Sequence, residues 1–376
     1  MALKVLYLLP DLHRGSMVRQ IAALARGLTA RGCEIRICAF RDGAGIDELH
    51  AADFTPTILS RGWLYDPRPY CKFIELLRSF SPDVVHFWQD EQPLLQSLVA
   101  WCSRARRIIS AERATARSSL HKFLPRLRGR PPLWALPSHS LAESCTATEK
   151  VVLPPPALPS QSTGRGPDAL RAELGLGPQA RIILCAGRLV AANGWQDALW
   201  ALDILQFVEP HASLLIAGEG PDRTGLESFA RTNRLQARVR FLGWSDDLAD
   251  LIRVAEIVWI PSRVDAMPLF LLEAMALGRP VIAARQPSIA EIVTDGQTGL
   301  LFPPGDKPAL ARQTLRLMRQ RELASTLGAG GYNLAHNREH GESWIDRHLG
   351  IYQETDQGRT SSNVREHAAA VTNATR

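Results

Sequence analysis

No apolar run in this 376-residue chain approaches the roughly 18 to 20 residues that cross a bilayer as a helix. The first residues, Met1 to Leu9, carry one lysine and an apolar stretch too short for a signal peptide, and Pro10–Asp11 ends it. That stretch reads as a buried strand, and the expectation is a cytoplasmic chain. The six cysteines (Cys33, Cys38, Cys71, Cys102, Cys145 and Cys185) form no CxxC pair and have no histidines at ligand spacing. This excludes a zinc-finger framework and points to thiols in a reducing compartment, with no metal or other cofactor expected. The chain is also not poor in core-forming residues. With 45% hydrophobic and 22% charged residues, wholesale disorder is excluded.

Charge is present but uneven. From Arg104 to Arg130 there are nine Lys/Arg (Arg104, Arg106, Arg107, Arg113, Arg117, Lys122, Arg126, Arg128 and Arg130) against one acid, Glu112. That segment carries +8 of a net +6, so the rest of the chain is slightly negative. Such a cluster suits an anionic surface, which would make the chain peripheral on the inner face of a membrane. A solvated loop with no partner is the other reading. Nucleic acid is not expected, because Phe123 is the one aromatic residue among the charges.

Periodicity alternates along the chain. Short buried-strand runs occur at Lys4–Leu9, Glu34–Phe40, Asp83–Phe87, Arg107–Ser110 and Leu133–Leu136. Helical patterns at Val18–Ala30, Tyr70–Phe80 and Leu94–Cys102 lie between them. After a stretch crowded with proline and glycine between Pro154 and Pro167, the rhythm restarts with strands from Arg181–Ala186 to Leu300–Phe302. This predicts an α/β chain of two doubly wound, Rossmann-like domains facing a central cleft, with ligand at the carboxyl ends of strands. The expected divisions are an N-terminal acceptor-side domain at 1–160, a linker at 161–167 and a C-terminal domain at 168–340. A helix at 341–354 is expected on the first domain, and a disordered polar tail at 355–376.

The most informative stretch runs from Pro261 to Gly299. A strand ends at Pro261, a loop carries Asp265, and a helix is read with Pro268 in its first turn and Glu273 inside it. A carboxylate between Leu272 and Ala274 is costly unless it meets a partner. A solvent-facing place on an amphipathic helix would explain it equally well. Glycines at 218 and 220 suggest a dinucleotide fingerprint, but Arg223 stands where its third glycine belongs.

Pro268, Leu269, Leu272–Ala276, Gly278, Pro280–Ala283, Glu291–Val293, Asp295, Gly296 and Thr298–Leu301 match one pattern in register. They resemble the E-x7-E region of the retaining GT-B glycosyltransferases of family 4. Gly187-Arg188-Leu189, the turn at Gly218, and Val239–Gly243 extend the resemblance. Gly15 after the first strand and the segment from Pro82 to His86 do so more weakly. The resemblance implies a nucleotide-diphosphate sugar as donor, a glycan or lipid-linked acceptor, and retention of anomeric configuration without metal. It implies that Glu273 holds the ribose hydroxyls and Asp265 meets a hydroxyl of the transferred sugar. Arg188 would neutralise the diphosphate, and Gly218, Gly15 and the Asn193 position would line the donor.

Several residues depart from the pattern. Asp265 stands for the usual glutamate, Ala266 for glycine, Asn193 for lysine, and Pro287–Ser288 for a Gly-Gly turn. Glu112 stands near the place of an N-domain histidine. A neutral amide cannot neutralise phosphate, and proline removes a backbone N–H. A binding protein with impaired catalysis and a sugar-nucleotide epimerase are the alternative readings. His86 reads either as a cleft residue or as a core-edge histidine bonded to a backbone carbonyl.

Overall fold

The structure is a computed structural model describing residues 2–354 apart from Arg14, 61–66, 89–92, 112–130, 159–161, Thr163, Asp246 and 339–340. The first half contains β1 (Lys4–Asp11), α1 (Ser16–Ala30), β2 (Glu34–Arg41), α2 (Ile46–His50), β3 (Thr57–Ser60) and α3 (Arg68–Phe80). It continues with β4 (Val84–Trp88), α4 (Pro93–Cys102), β5 (Arg106–Ser110), β6 (Leu133–Leu136), α5 (His139–Ser144) and β7 (Lys150–Val152). The second half opens with α6 (Pro167–Glu173), β8 (Arg181–Ala186), α7 (Trp195–Leu205), β9 (Ala212–Ala217), α8 (Arg223–Thr232) and β10 (Val239–Gly243). Then come α9 (Leu248–Val254), β11 (Ile257–Ile260), α10 (Leu269–Ala276), β12 (Val281–Ala284), α11 (Pro287–Ala290) and β13 (Leu300–Phe302). Three helices close the described chain: α12 (Lys307–Arg319), α13 (Arg321–Asn337) and α14 (Gly341–Gln353).

The described strands form two parallel sheets, one of seven strands in the order β3-β2-β1-β4-β5-β6-β7 and one of six in the order β10-β9-β8-β11-β12-β13. Side-chain alternation explains why each sheet is covered on both faces. In β8, Ile183 and Cys185 enter one core while Ile182 and Leu184 enter another. In β11, Ile257 and Trp259 divide from Val258 and Ile260 in the same way. Strand order reverses between β1 and β4 in one sheet and between β8 and β11 in the other. The loops after β1 and β8 therefore leave at the two switch points, where open α/β sheets bind ligands.

Helix α14 packs against α1 and the first sheet. Trp344, Ile345 and Tyr352 belong to the core that contains β1 and α1. Arg31, which caps the C-terminus of α1, pairs with Glu342 at 2.5 Å and with Asp346 at 2.6 Å. Between β7 and α6 the described residues of 153–166 form no helix or strand, and Pro167 already occupies the first turn of α6. Ser162 donates to Asp250 at 2.5 Å, tying the end of this stretch to the C-terminal domain.

The structure adds elements that periodicity missed. Strands β3 and β7 have four and three residues, and α2, α5, α6 and α11 have four to seven. The helix carrying Glu273 starts at Leu269, with Pro268 as its extended cap rather than in its first turn.

Candidate active site

Helix α10 is buried on every side, from Phe270 through Met275, because it lies against β12 and α13 rather than on the surface. Glu273 is 2% exposed, so the solvent-facing reading is excluded. Its carboxylate accepts from Arg19 Nη2 at 2.7 Å, across the cleft from α1 of the other domain. A carboxylate this deep costs several kcal/mol without a partner. Arg19 was not singled out in the sequence, where it reads as a solvated position on α1.

Asp265 sits in the loop between β11 and α10. Its Oδ1 accepts from the Ser288 backbone N–H at 2.9 Å. The Pro287–Ser288 pair opens a short helix, α11, with proline in its first turn, where a missing N–H costs little. Ser288 is fully buried, and its hydroxyl lies 2.8 Å from Ser138 Oγ and 3.1 Å from Ser140 Oγ. Glu291 accepts from the backbone N–H groups of His139 at 2.9 Å and Ser140 at 2.6 Å. The segment that departs from the Gly-Gly pattern thus serves as a polar seam between the domains. Nothing in the sequence pairs 138–140 with 288–291, about 150 residues away.

Arg188 leaves the end of β8 at the switch point and is exposed, with no hydrogen bond or ion pair to its guanidinium among the described residues. Asn193 ends a 3-10 turn over Ala191–Asn193 and turns inward, donating Nδ2–H to the Arg188 carbonyl at 2.8 Å. Trp195 Nε1 donates to the same carbonyl at 2.8 Å. Gly194 has φ 75°, and a Cβ there would fall on the Pro261 carbonyl. The neighbouring Arg263 forms a two-pronged pair with the buried Asp197, at 2.6 and 2.7 Å, which Lys307 approaches at 3.7 Å. That cation braces the first turn of α7, whereas Arg188 has no such duty.

Two glycines have packing roles. At Gly218, φ 145°, a Cβ would strike the Gly187 carbonyl, because the loops after β8 and β9 touch backbone to backbone. Gly15 caps α1 in open space at the other switch point, and its carbonyl accepts from Val18 N at 3.1 Å.

His86 is fully buried in β4 and is not a cleft residue. Its ring nitrogens lie 2.6 Å from the Tyr352 hydroxyl and 2.8 Å from Ser110 Oγ, so hydroxyls rather than a backbone carbonyl satisfy it. Burial, with His348 nearby, pushes its pKa well below the usual histidine value. Glu112 lies outside the described residues. No group of three or more His, Cys, Asp or Glu among the described residues is placed to hold a metal ion.

Two parallel, helix-covered sheets facing a polar cleft, with Arg188 and Glu273 following adjacent strands, fix the architecture. The chain has the GT-B fold. A family model described as Glycosyltransferase Family 4 matches residues 17–150, and one described as Glycosyl transferases group 1 matches 180–320. Both halves of this GT-B chain thus carry glycosyltransferase family domains. Anabaena Alr3699/HepE in complex with UDP-glucose superposes with a TM-score of 0.81 at 17% identity, covering 93% of this chain and 99% of that one.

Among curated relatives, N-acetyl-alpha-D-glucosaminyl L-malate synthase of Bacillus anthracis is 28% identical over 183 residues, 49% of this chain and 48% of the relative. D-inositol 3-phosphate glycosyltransferase of Streptomyces bingchenggensis is 35% identical over 185 residues, 46% of this chain and 40% of the relative. The matched stretch spans about half the length of the first of these relatives and less of the second.

Proposed function

We propose that the chain is a glycosyltransferase that moves a sugar from a nucleotide-diphosphate sugar to a hydroxyl of a glycan or lipid-linked acceptor, with retention of configuration and without metal. One observation carries the reading: an exposed, unengaged Arg188 and a buried Glu273 follow β8 and β11, the two strands at the switch point. Glu273 accepts hydrogen bonds from the ribose hydroxyls, taking them in exchange for Arg19. Arg188 neutralises the diphosphate as it leaves, the electrostatic task such a site needs. Asp265, with Oδ1 held by Ser288, offers Oδ2 to a sugar hydroxyl.

The acceptor oxygen bonds to the anomeric carbon on the face from which the phosphate departs. Its proton passes to the leaving phosphate oxygen. The relative solved with UDP-glucose makes UDP-sugars the first donors to try. The reading also places the protein in the cytoplasm, with Arg104–Arg130 resting on an anionic membrane; 112–130 of that segment lie outside the described residues.

Calorimetry with UDP, GDP and ADP tests the site. One of them should bind, and Arg188→Ala should weaken it by about a hundredfold, the cost of removing a charge-assisted phosphate contact. No heat with any nucleotide in either protein would overturn the donor-site assignment and leave the fold alone.

A further inference from the structure

A diphosphate is at least doubly negative, yet the second sheet offers it one unengaged cation. Among the described residues, the cleft-side loops after its strands, with the helix starts they lead into, carry Arg188, Arg223, Arg263, Arg285 and Lys307. Arg263 and Lys307 are held by Asp197, Arg223 by Glu219 and Glu227, and Arg285 by Asp295. Of these cations Arg188 alone has no carboxylate. The neighbouring Asn193 is neutral and bonded to the Arg188 carbonyl. A second charge for the phosphates has to come from elsewhere.

The loop that carries Arg188 and the loop that leads to Glu273 are joined. The Arg263 backbone N–H donates to the Ala192 carbonyl at 2.9 Å, and Gly194 lies against the Pro261 carbonyl. A nucleotide with its ribose at Glu273 and its phosphates at Arg188 runs along this shared surface. Arg19 reaches the same surface from the other domain. Its backbone N–H closes the first turn of α1 on the Gly15 carbonyl at 3.4 Å, and its Nη2 donates to Glu273 Oε1 at 2.7 Å.

The two partners of that pair differ in freedom. The Glu273 side chain is 3% exposed on a helix buried on every side, whereas that of Arg19 is 27% exposed. When ribose hydroxyls take the carboxylate, the guanidinium is therefore the group that moves. The anion beside it on the nucleotide is the phosphate attached to that ribose. A guanidinium fork matches phosphate oxygens, and the first turn of α1 holds no acid to compete for it.

We propose that Arg19 is the second diphosphate-binding cation, exchanging Glu273 for the phosphates when the donor enters. It supplies from the N-terminal domain the charge that Asn193 does not. This deepens the transferase reading and rests on its donor site.

Calorimetry and ligand-observed NMR on the full chain test the exchange, with UDP, GDP and ADP and the matching nucleosides as probes. For whichever diphosphate binds, Arg19→Gln should weaken it about tenfold, the weight of one charge-assisted contact. The nucleoside has no phosphate and should bind that variant as tightly as wild type or more tightly, since Glu273 has lost its competitor. Adding Asn193→Lys to Arg19→Gln should recover most of the lost diphosphate affinity. If Arg19 only plugs Glu273, both ligands bind the variant more tightly; if it only holds the domains together, both bind more weakly and alike. Either result overturns the proposal, as does the absence of rescue by Asn193→Lys. Arg19→Gln strands a buried carboxylate. If it does not fold, Glu273→Gln is compared with Glu273→Gln/Arg19→Gln, where the diphosphate should again bind about tenfold more weakly once the arginine is gone. Equal affinity in that comparison would equally overturn it. Equal diphosphate affinity in wild type and Arg19→Gln sinks this proposal alone. No diphosphate binding to wild type sinks the donor-site reading and this proposal with it.

Discussion

Asn193 shows how a substitution visible in sequence can have an invisible geometry. That an amide stands where the resembled family carries lysine was legible from the resemblance alone. That the amide turns back on the Arg188 carbonyl at 2.8 Å depends on the 3-10 turn, which three residues of sequence do not announce. Asn193→Lys restores a second cation but gives up the brace. A charge-assisted bond is worth about 1.5–3 kcal/mol against roughly 1 for the neutral one, so nucleotide-diphosphate binding should tighten about threefold to tenfold by calorimetry. Unchanged or weaker binding would mean that the phosphates do not lie against this loop. Glu273 was legible as a candidate because a carboxylate inside an apolar helix asks for a partner. Arg19 was not, since a cation on the amphipathic helix α1 looks solvated until the second domain is in place.

Among elements, the regular β-α rhythm could be read because buried strands and amphipathic helices have distinct periods. The short elements could not. Strand β7 has three residues, and α11 four, too few to show any period. Strand β7 is held by its pairing with β6, and α11 by its contact with α5 of the other domain. Helix α5 has Ser138 as its N-cap, accepting from Leu141 N at 3.3 Å, and Glu291 of the other domain covers its next two N–H groups. Glu291→Gln should therefore lower stability by about 1 kcal/mol, as expected for losing a negative charge at a helix N-terminus. Thermal unfolding would show this, and a midpoint equal to wild type would refute the capping role. Helix α14 brings a pH dependence through His348. Its folded pKa of about 4 lies below the ordinary 6.5, so the unfolded chain binds the proton more tightly. The stabilisation is complete above pH 6.5 and is lost as pH falls towards 4, by about 3 kcal/mol for this residue. Urea titrations from pH 7.5 to 4 should show that slope added to the one from His86, whose pKa is also lowered by burial, and His348→Gln should reduce it. An equal slope in the variant would place the dependence elsewhere.

At the scale of the whole molecule, the two-domain plan was legible, because it rests on composition and long periodic segments. How the domains meet was not, since those contacts join residues 150 to 254 positions apart. Truncating the chain after Arg338 removes Trp344, Ile345 and Tyr352 from the N-terminal core while leaving the C-terminal sheet whole. Two melting transitions should then replace one, with the N-terminal domain unfolding first. A single transition at the wild-type midpoint would show that α14 contributes little. The same arrangement sets an order on biosynthesis. The N-terminal domain is translated first, yet its core is completed by residues made after the entire second domain. At about 5–20 residues per second, the ribosome spends roughly 10 to 40 seconds on the intervening chain. During that interval the surface of α1 that will receive Ile345, with Gly27 shaped to it, stays open on the nascent protein. The domain made first is thus the one that a chaperone must guard for longest.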